Sequence, residues 1–165
     1  MERQWFGCLY SCNWISACGL LLFWMMTSHS FGEESFVVST RTASGKQETI
    51  HWFNTYEAAL HQAQVQKKPL LILFTGTAWC PACKKLEKEV LIQPHFAAQV
   101  ADAFVFFKAD FRTHSGDKFV ASPFYQLLEK YKVQYFPTFV GVDHKGEELF
   151  RVDYQSGGVD VYVKE

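Results

Sequence analysis

The sequence predicts an α/β fold in which a strand buried on both faces feeds a helix through a turn that carries two cysteines. Three observations carry that prediction. Leu70-Leu71-Ile72-Leu73-Phe74 is an unbroken apolar run, as expected of a central strand covered on both sides. Segments with apolar residues at helical spacing alternate along the chain with further short apolar runs. The 165 residues are 48% hydrophobic and 17% aromatic, enough for one compact core and too little for two ordinary domains.

Residues 1–30 are read apart from the domain, which spans 31–165. Arg3 precedes an apolar stretch that is densest from Ile15 to Met26; Thr27-Ser28-His29-Ser30 and the acidic pair Glu33-Glu34 follow. A charged start, a short apolar centre and a small-residue end predict a secretory signal peptide, absent from the mature protein. The alternative is an uncleaved N-terminal anchor, because Trp5 to Met26 approaches spanning length. Asn13 interrupts that run, which favours cleavage. Ile15-Ser16-Ala17-Cys18 also looks like a lipidation signal, but the long apolar run after Cys18 counts against it. Cys8, Cys12 and Cys18 leave with the segment, so the mature domain keeps Cys80 and Cys83.

Phe36-Val37-Val38 and Ile50-His51-Trp52-Phe53 read as short strands around a polar turn region, Thr42 to Glu48. Asn54 starts a helix, with Glu57 placed for a capping-box pair. Tyr56, Ala59, Leu60 and Ala63 share its apolar face, and Pro69 ends it beyond Gln66-Lys67-Lys68. Leu70 to Phe74 is the central strand, and Thr75-Gly76-Thr77-Ala78 turns into the cysteine helix, which runs to about Gln93 and stops at Pro94. Ala103 to Ala109 is the next central strand, followed by a polar loop, Arg112 to Lys118. Ser122 and Pro123 open a helix from Phe124 to Tyr131. Thr138 to Val142 and Glu148 to Val152 pair through the hairpin turn Asp143-His144-Lys145-Gly146. The order is β, α, β, α, β, α, β, β, with few residues left for a final helix, which is therefore short or missing.

Trp79-Cys80-Pro81-Ala82-Cys83 sits where the central strand meets its helix. A helix N-terminus offers unpaired N–H groups and partial positive charge, which favour a thiolate over a thiol. Cys80, at the edge of the turn, is placed to attack a foreign disulfide, and Cys83, one helical turn on, to resolve the mixed disulfide. Zinc is the competing use of such a pair, but it needs a second pair of ligands. His51, His61, His95, His114 and His144 stand singly, and no metal is assigned. In an exported domain paired thiols usually become structural disulfides. A two-residue spacer closes a loop too small to make a useful staple, so reactivity explains this pair better than stability. The net charge of −1 gives no reason to expect nucleic acid or an anionic membrane surface as a partner. Phe104, Phe106, Phe107, Phe111, Phe119 and Phe124 read as core and loop packing rather than a binding box.

With these residues in place the chain resembles the thioredoxin-like thiol–disulfide oxidoreductases. Within them it resembles the exported subgroup that includes the C-terminal domain of DsbD and the reductant DsbH. The likeness rests on Trp52 with Tyr56-Glu57-Ala58-Ala59-Leu60, on Phe74 through Glu87, on Val133 through Phe139, and on the Asp143-to-Gly146 hairpin. It implies a thioredoxin-like fold, a central mixed β-sheet flanked by helices. It implies a redox-active Cys80–Cys83 disulfide and a cis Pro137 lying against it, with the backbone of Phe136 binding an incoming peptide like an added strand. Trp79 and Phe136 are then rim residues, and Pro81 lies between the thiols. Glu87, four residues after Cys83, matches an acid of the DsbD-like domain and either shuttles a proton for the resolving thiol or is a solvated helix residue among Lys84, Lys85 and Lys88. Thioredoxins bury an acid in the central strand where this chain has Leu73 or Phe74, and the turn before Trp79 looks one residue longer.

The N-terminal segment predicts a periplasmic monomer, or alternatively a membrane-anchored protein facing the periplasm, that reduces disulfides in exported cysteine-containing proteins; the resemblance implies recharging by a DsbD-like membrane electron donor, with no prosthetic group. Pro81-Ala82 lacks the histidine found between the cysteines of strong oxidants. That absence points to a reductant nearer thioredoxin (about −270 mV) than DsbA (about −120 mV). A disulfide oxidase or isomerase of the same fold is the alternative, although no dimerisation module of the isomerase kind has room here. A non-catalytic binding module is a further alternative, and the intact cysteine pair argues against it.

Overall fold

The computed structural model describes residues 36–41 and 47–164. The segment 1–30 read as a targeting peptide lies outside the described residues, as does part of the turn expected between the first two strands. Among the described residues six strands form one mixed sheet: β1 (Phe36–Arg41), β2 (Gln47–Phe53), β3 (Leu70–Thr75), β4 (Val105–Asp110), β5 (Thr138–Val142) and β6 (Glu148–Asp153), in the spatial order β1-β2-β4-β3-β5-β6. β2, β4 and β3 run parallel, whereas β1 and the β5–β6 hairpin are antiparallel to their neighbours.

β3 is the interior strand expected of its apolar run, and all six of its residues are buried. Successive side chains serve opposite cores. Leu70, Ile72 and Phe74 join one with Ala59, Ala63, Phe107 and Leu128, and Leu71 and Leu73 join the other with Leu86, Val90, Phe96 and Phe139. The first face is covered by α1 (Tyr56–Gln66) and later by α4 (Asp117–Val120) and α5 (Tyr125–Lys130). The second is covered by α2 (Pro81–Leu86), which continues as a π turn over Glu87–Leu91, by α3 (Pro94–Val100), and by α6 (Val159–Tyr162). The final helix is indeed short, at four residues. An apolar cleft of about 260 Å³ remains beside it, lined by Leu71, Phe96, Phe139, Phe150 and Tyr162 among others. No described helix is long and apolar enough to cross a membrane.

Three sequence expectations are corrected. Helix α1 is capped by Thr55, not Asn54, and without a side-chain cap bond. With Thr55 as cap, Glu57 falls one position short of the place a capping box requires. Pro94 does not only stop the cysteine helix; it is the first residue of α3. Gln93, extended at φ −77° and ψ 131°, shows why, since a proline drives the preceding residue out of the helical region and itself suits a first helical turn. The loop expected from Arg112 to Lys118 ends in α4, which begins at Asp117.

Because β3 and β4 are parallel and β5 is antiparallel to β3, the ends of β3 and β4 and the start of β5 share one edge of the sheet. That edge, here the upper end, carries the cysteines. The lower end carries the start of β3 and the β5–β6 turn.

Candidate active site

Leaving β3 at Thr75, the chain turns through Gly76 to Trp79 and enters α2 at Cys80. Cys80 is the helix N-cap, in extended conformation, and Pro81 takes the first helical turn, where its missing N–H costs nothing. Cys80 and Cys83 form a disulfide with Cα atoms 5.3 Å apart. The Cys83 backbone N–H donates to Cys80 Sγ at 3.1 Å, so a helix-terminal donor is already aimed at the sulfur that would carry negative charge once reduced. Both sulfur residues are buried, Cys80 at 4% exposure and Cys83 at 1%, with Pro81 exposed beside them.

The opposite wall comes from the start of β5. The Phe136–Pro137 peptide bond is cis, and Cys80 Sγ lies 3.7 Å from the Phe136 carbonyl oxygen. In the dithiol form that oxygen can accept a hydrogen bond from the thiol. Thr138 fixes this segment, its Oγ1 lying 2.9 Å from both Tyr135 O and Asp153 Oδ1.

The half-buried rings of Trp79 and Phe136 meet edge to face with centroids 5.5 Å apart, and Phe136 meets Phe111 at 5.3 Å. Trp79 Nε1–H donates to the Phe111 carbonyl at 2.8 Å, and exposed His114 lies against the indole at 5.4 Å. Gly76 lies beneath that indole; a Cβ there would meet Trp79 Cε2 at 2.5 Å. The rim is thus continuous with the core, through Phe111.

Glu87 lies one helical turn below Cys83 on the side facing the sheet. Its Oε1 is 3.5 Å from Lys108 Nζ on β4, and both side chains are partly buried. Lys108 is the register partner of Leu73. The strand position beside the lysine is therefore apolar, and the carboxylate that meets the lysine comes from the helix.

The structure brings Trp79, Cys80, Pro81, Cys83, Phe136 and Pro137 together and sets Glu87 just beneath them. Sequence reasoning missed Lys108, Asp110, Thr77 and His114. Asp110 Oδ1 accepts the Thr77 backbone N–H at 2.9 Å, and Oδ2 accepts the Thr77 hydroxyl at 2.5 Å. The one available signal for Asp110 was its place at the outgoing end of a parallel strand, where sites on such sheets gather.

A family model described as a thioredoxin-like domain matches residues 56–157. Among curated proteins, the disulfide bond reductase DsbH of Chlamydia pneumoniae is 28% identical over 116 residues, covering 69% of this chain and 69% of that protein. The thioredoxin-related protein DsbJ of the same organism is 28% identical over 106 residues, which are 64% of this chain but only 30% of that protein. Among solved structures, the oxidoreductase DsbH superposes with a TM-score of 0.60 at 28% identity, covering 70% of this chain and 80% of that one.

Proposed function

The chain belongs to the thioredoxin-like family, within its disulfide oxidoreductases that carry a Cys-x-x-Cys pair, and from that premise we propose that it is a reductant of disulfides in exported proteins. The observation that carries the proposal is Cys80 Sγ, bonded by the Cys83 N–H at a helix start and facing the Phe136 carbonyl 3.7 Å away.

In the forward reaction the Cys80 thiolate attacks one sulfur of a substrate disulfide. The substrate S–S bond breaks, one substrate thiolate leaves, and a Cys80–substrate mixed disulfide forms. Cys83 then loses its proton and attacks Cys80 Sγ. The second substrate thiolate is released, and the Cys80–Cys83 disulfide remains; two electrons have passed to the substrate, whose thiolates take up two protons. Glu87 is the group we assign to the Cys83 proton, with Lys108 holding its carboxylate in place. Trp79 and Phe136 wall the cleft, Pro81 fixes the spacing of the thiols, and the backbone beside Pro137 receives the substrate as an extended strand.

The direction is argued from Pro81-Ala82, which puts no cation between the thiols to favour the dithiol form. A DsbD-like membrane protein is the proposed source of electrons, the periplasm the proposed compartment and a monomer the proposed form, with residues 1–30 removed or retained as an anchor. Equilibration with glutathione should give a potential below roughly −220 mV, and Ala82→His should raise it. The chain should also speed reduction of insulin by dithiothreitol. A potential near about −120 mV, with rapid oxidation of reduced peptides, would make the protein a donor of disulfides instead.

A further inference from the structure

The turn that presents Cys80 is held from outside its own strand. Asp110, the last residue of β4, uses both carboxylate oxygens on Thr77: Oδ1 on the backbone N–H at 2.9 Å and Oδ2 on the hydroxyl at 2.5 Å. The next residue, Phe111, donates its N–H to Thr75 O at 2.8 Å and accepts the indole N–H of Trp79 at 2.8 Å. The indole covers Gly76 at a distance that leaves no room for a side chain, and the Gly76 carbonyl accepts the Cys80 N–H at 2.8 Å. From the strand end to the nucleophile, every link is a hydrogen bond or a close contact. No element other than β4 supplies a side-chain carboxylate to this turn among the bonds described.

We propose that Asp110 is a positioning residue for the dithiol, acting through Thr77 to keep the 76–79 turn, and with it Trp79 and Cys80, against the Phe136–Pro137 wall. The inference rests on the disulfide-reductase reading for its effect on rate, but not for its effect on the turn. Two hydrogen bonds from one carboxylate to one residue fix both position and rotation of that residue, which a single bond does not. Small displacements of a reacting group are costly to rate even when the fold survives.

The test uses the full chain, with peptide-resolved amide hydrogen exchange over 76–79 and the rate at which the reduced protein reduces oxidised glutathione, corrected to folded protein by urea titration. Asp110→Ala should speed exchange in the turn and slow the reduction by about tenfold. Asp110→Asn keeps an acceptor for the N–H and a donor for the hydroxyl oxygen, and should restore both readouts to within about threefold of wild type. Thr77→Val removes only the hydroxyl bond and should fall between, which keeps the idea testable if Asp110→Ala does not fold. An unchanged rate per folded molecule in Asp110→Ala would overturn the proposal. So would an Asp110→Asn variant as slow as Asp110→Ala with its turn still protected, because charge and not placement would then be at work. A wild type that reduces no oxidised glutathione would sink the functional reading; the hydrogen-exchange contrast between Ala and Asn variants would still decide the clamp.

Discussion

At the upper end of the sheet, polar groups are arranged around a disulfide that the proposed reaction opens; at the lower end they close the fold. The upper end joins the outgoing ends of β3 and β4 to the start of β5 and holds Cys80, Cys83, Trp79 and the Thr77–Asp110 contact. At the lower end, Tyr131 OH donates to Gly146 O at 3.0 Å and lies 3.0 Å from Tyr56 OH. Lys130 Nζ donates to the same carbonyl at 3.0 Å and stands 4.8 Å from the centre of the Tyr131 ring. The Asp143 carboxylate accepts the N–H of Glu147 and, with smaller effect, that of Lys145, which holds it below the usual carboxylate range. The lower network contains no group that changes covalent state. Damage above should therefore appear chiefly as lost turnover, and damage below chiefly as lost stability.

The largest expected effect breaks the upper end outright. Cys80→Ser should abolish insulin reduction and trap no substrate, whereas Cys83→Ser should accumulate mixed disulfides that gel electrophoresis without reductant can count. Neither should unfold the protein, because a disulfide closing so short a loop constrains the unfolded chain little. Equal alkylation rates for the two thiols of the reduced protein would undo the assignment of Cys80 as nucleophile.

The two ends also carry comparable close approaches, which sharpen the contrast. A Cβ on Gly76 would meet Trp79 Cε2 at 2.5 Å, and one on Gly141 would meet Phe150 Cζ at 2.3 Å. The Trp79 ring is pinned by its bond to Phe111 and by Phe136 and His114. Phe150 is 39% exposed, and its ring, edge to face with Phe104 at 5.9 Å, has solvent beside it into which to shift. Gly76→Ala should cost about 1–3 kcal/mol in urea unfolding and slow disulfide exchange. Gly141→Ala should cost about 0.5 kcal/mol and leave exchange unchanged.

The remaining effect belongs to the lower end and is read at high pH. Burial, with the neighbouring Tyr131 hydroxyl, pushes the Tyr56 phenol up to about 12. The folded protein then keeps a proton that the unfolded chain releases near its ordinary pKa of 10.0. Stability from this group is fully present below that value and is lost as pH rises through the folded one. Denaturation midpoints should fall between about pH 10 and pH 12, and Tyr56→Phe should flatten that fall at a neutral-pH cost of about 0.5–1.5 kcal/mol. Disulfide exchange at pH 7 should not change.

Sequence disclosed the elements whose signals are local. Leu70 to Phe74 could only be an interior strand. The cysteines announced themselves by spacing, whereas Pro137 stood out only through the family resemblance, its spacing alone fitting an ordinary proline at a strand start. What stayed hidden depends on register between distant segments. Asp110 and Thr77 are 33 residues apart and meet because β3 and β4 pair in parallel with Thr75 opposite Asp110. The Lys108–Glu87 pair likewise joins a strand to a helix. The start of α3 was concealed for another reason, since Pro94 carries the signals for an ending and a beginning at once.

The π turn over Glu87–Leu91 ends the cysteine helix out of step with the α-helical turns of Pro81–Leu86 that precede it. The Ile92 N–H reaches back five residues to Glu87 O at 3.1 Å, so the turn accommodates one residue more than an α-helical path. The α-helical part before it keeps the phase that Cys80 and Cys83 need, while the π turn itself brings both Val90 and Leu91 into the core. Removing one residue between Lys88 and Leu91 would restore a single phase. Either the sulfur pair or the apolar anchor would then have to rotate by about 100° about the helix axis. Chain length in this segment therefore acts as an angular setting: it fixes the direction in which the dithiol faces independently of how firmly the helix is seated.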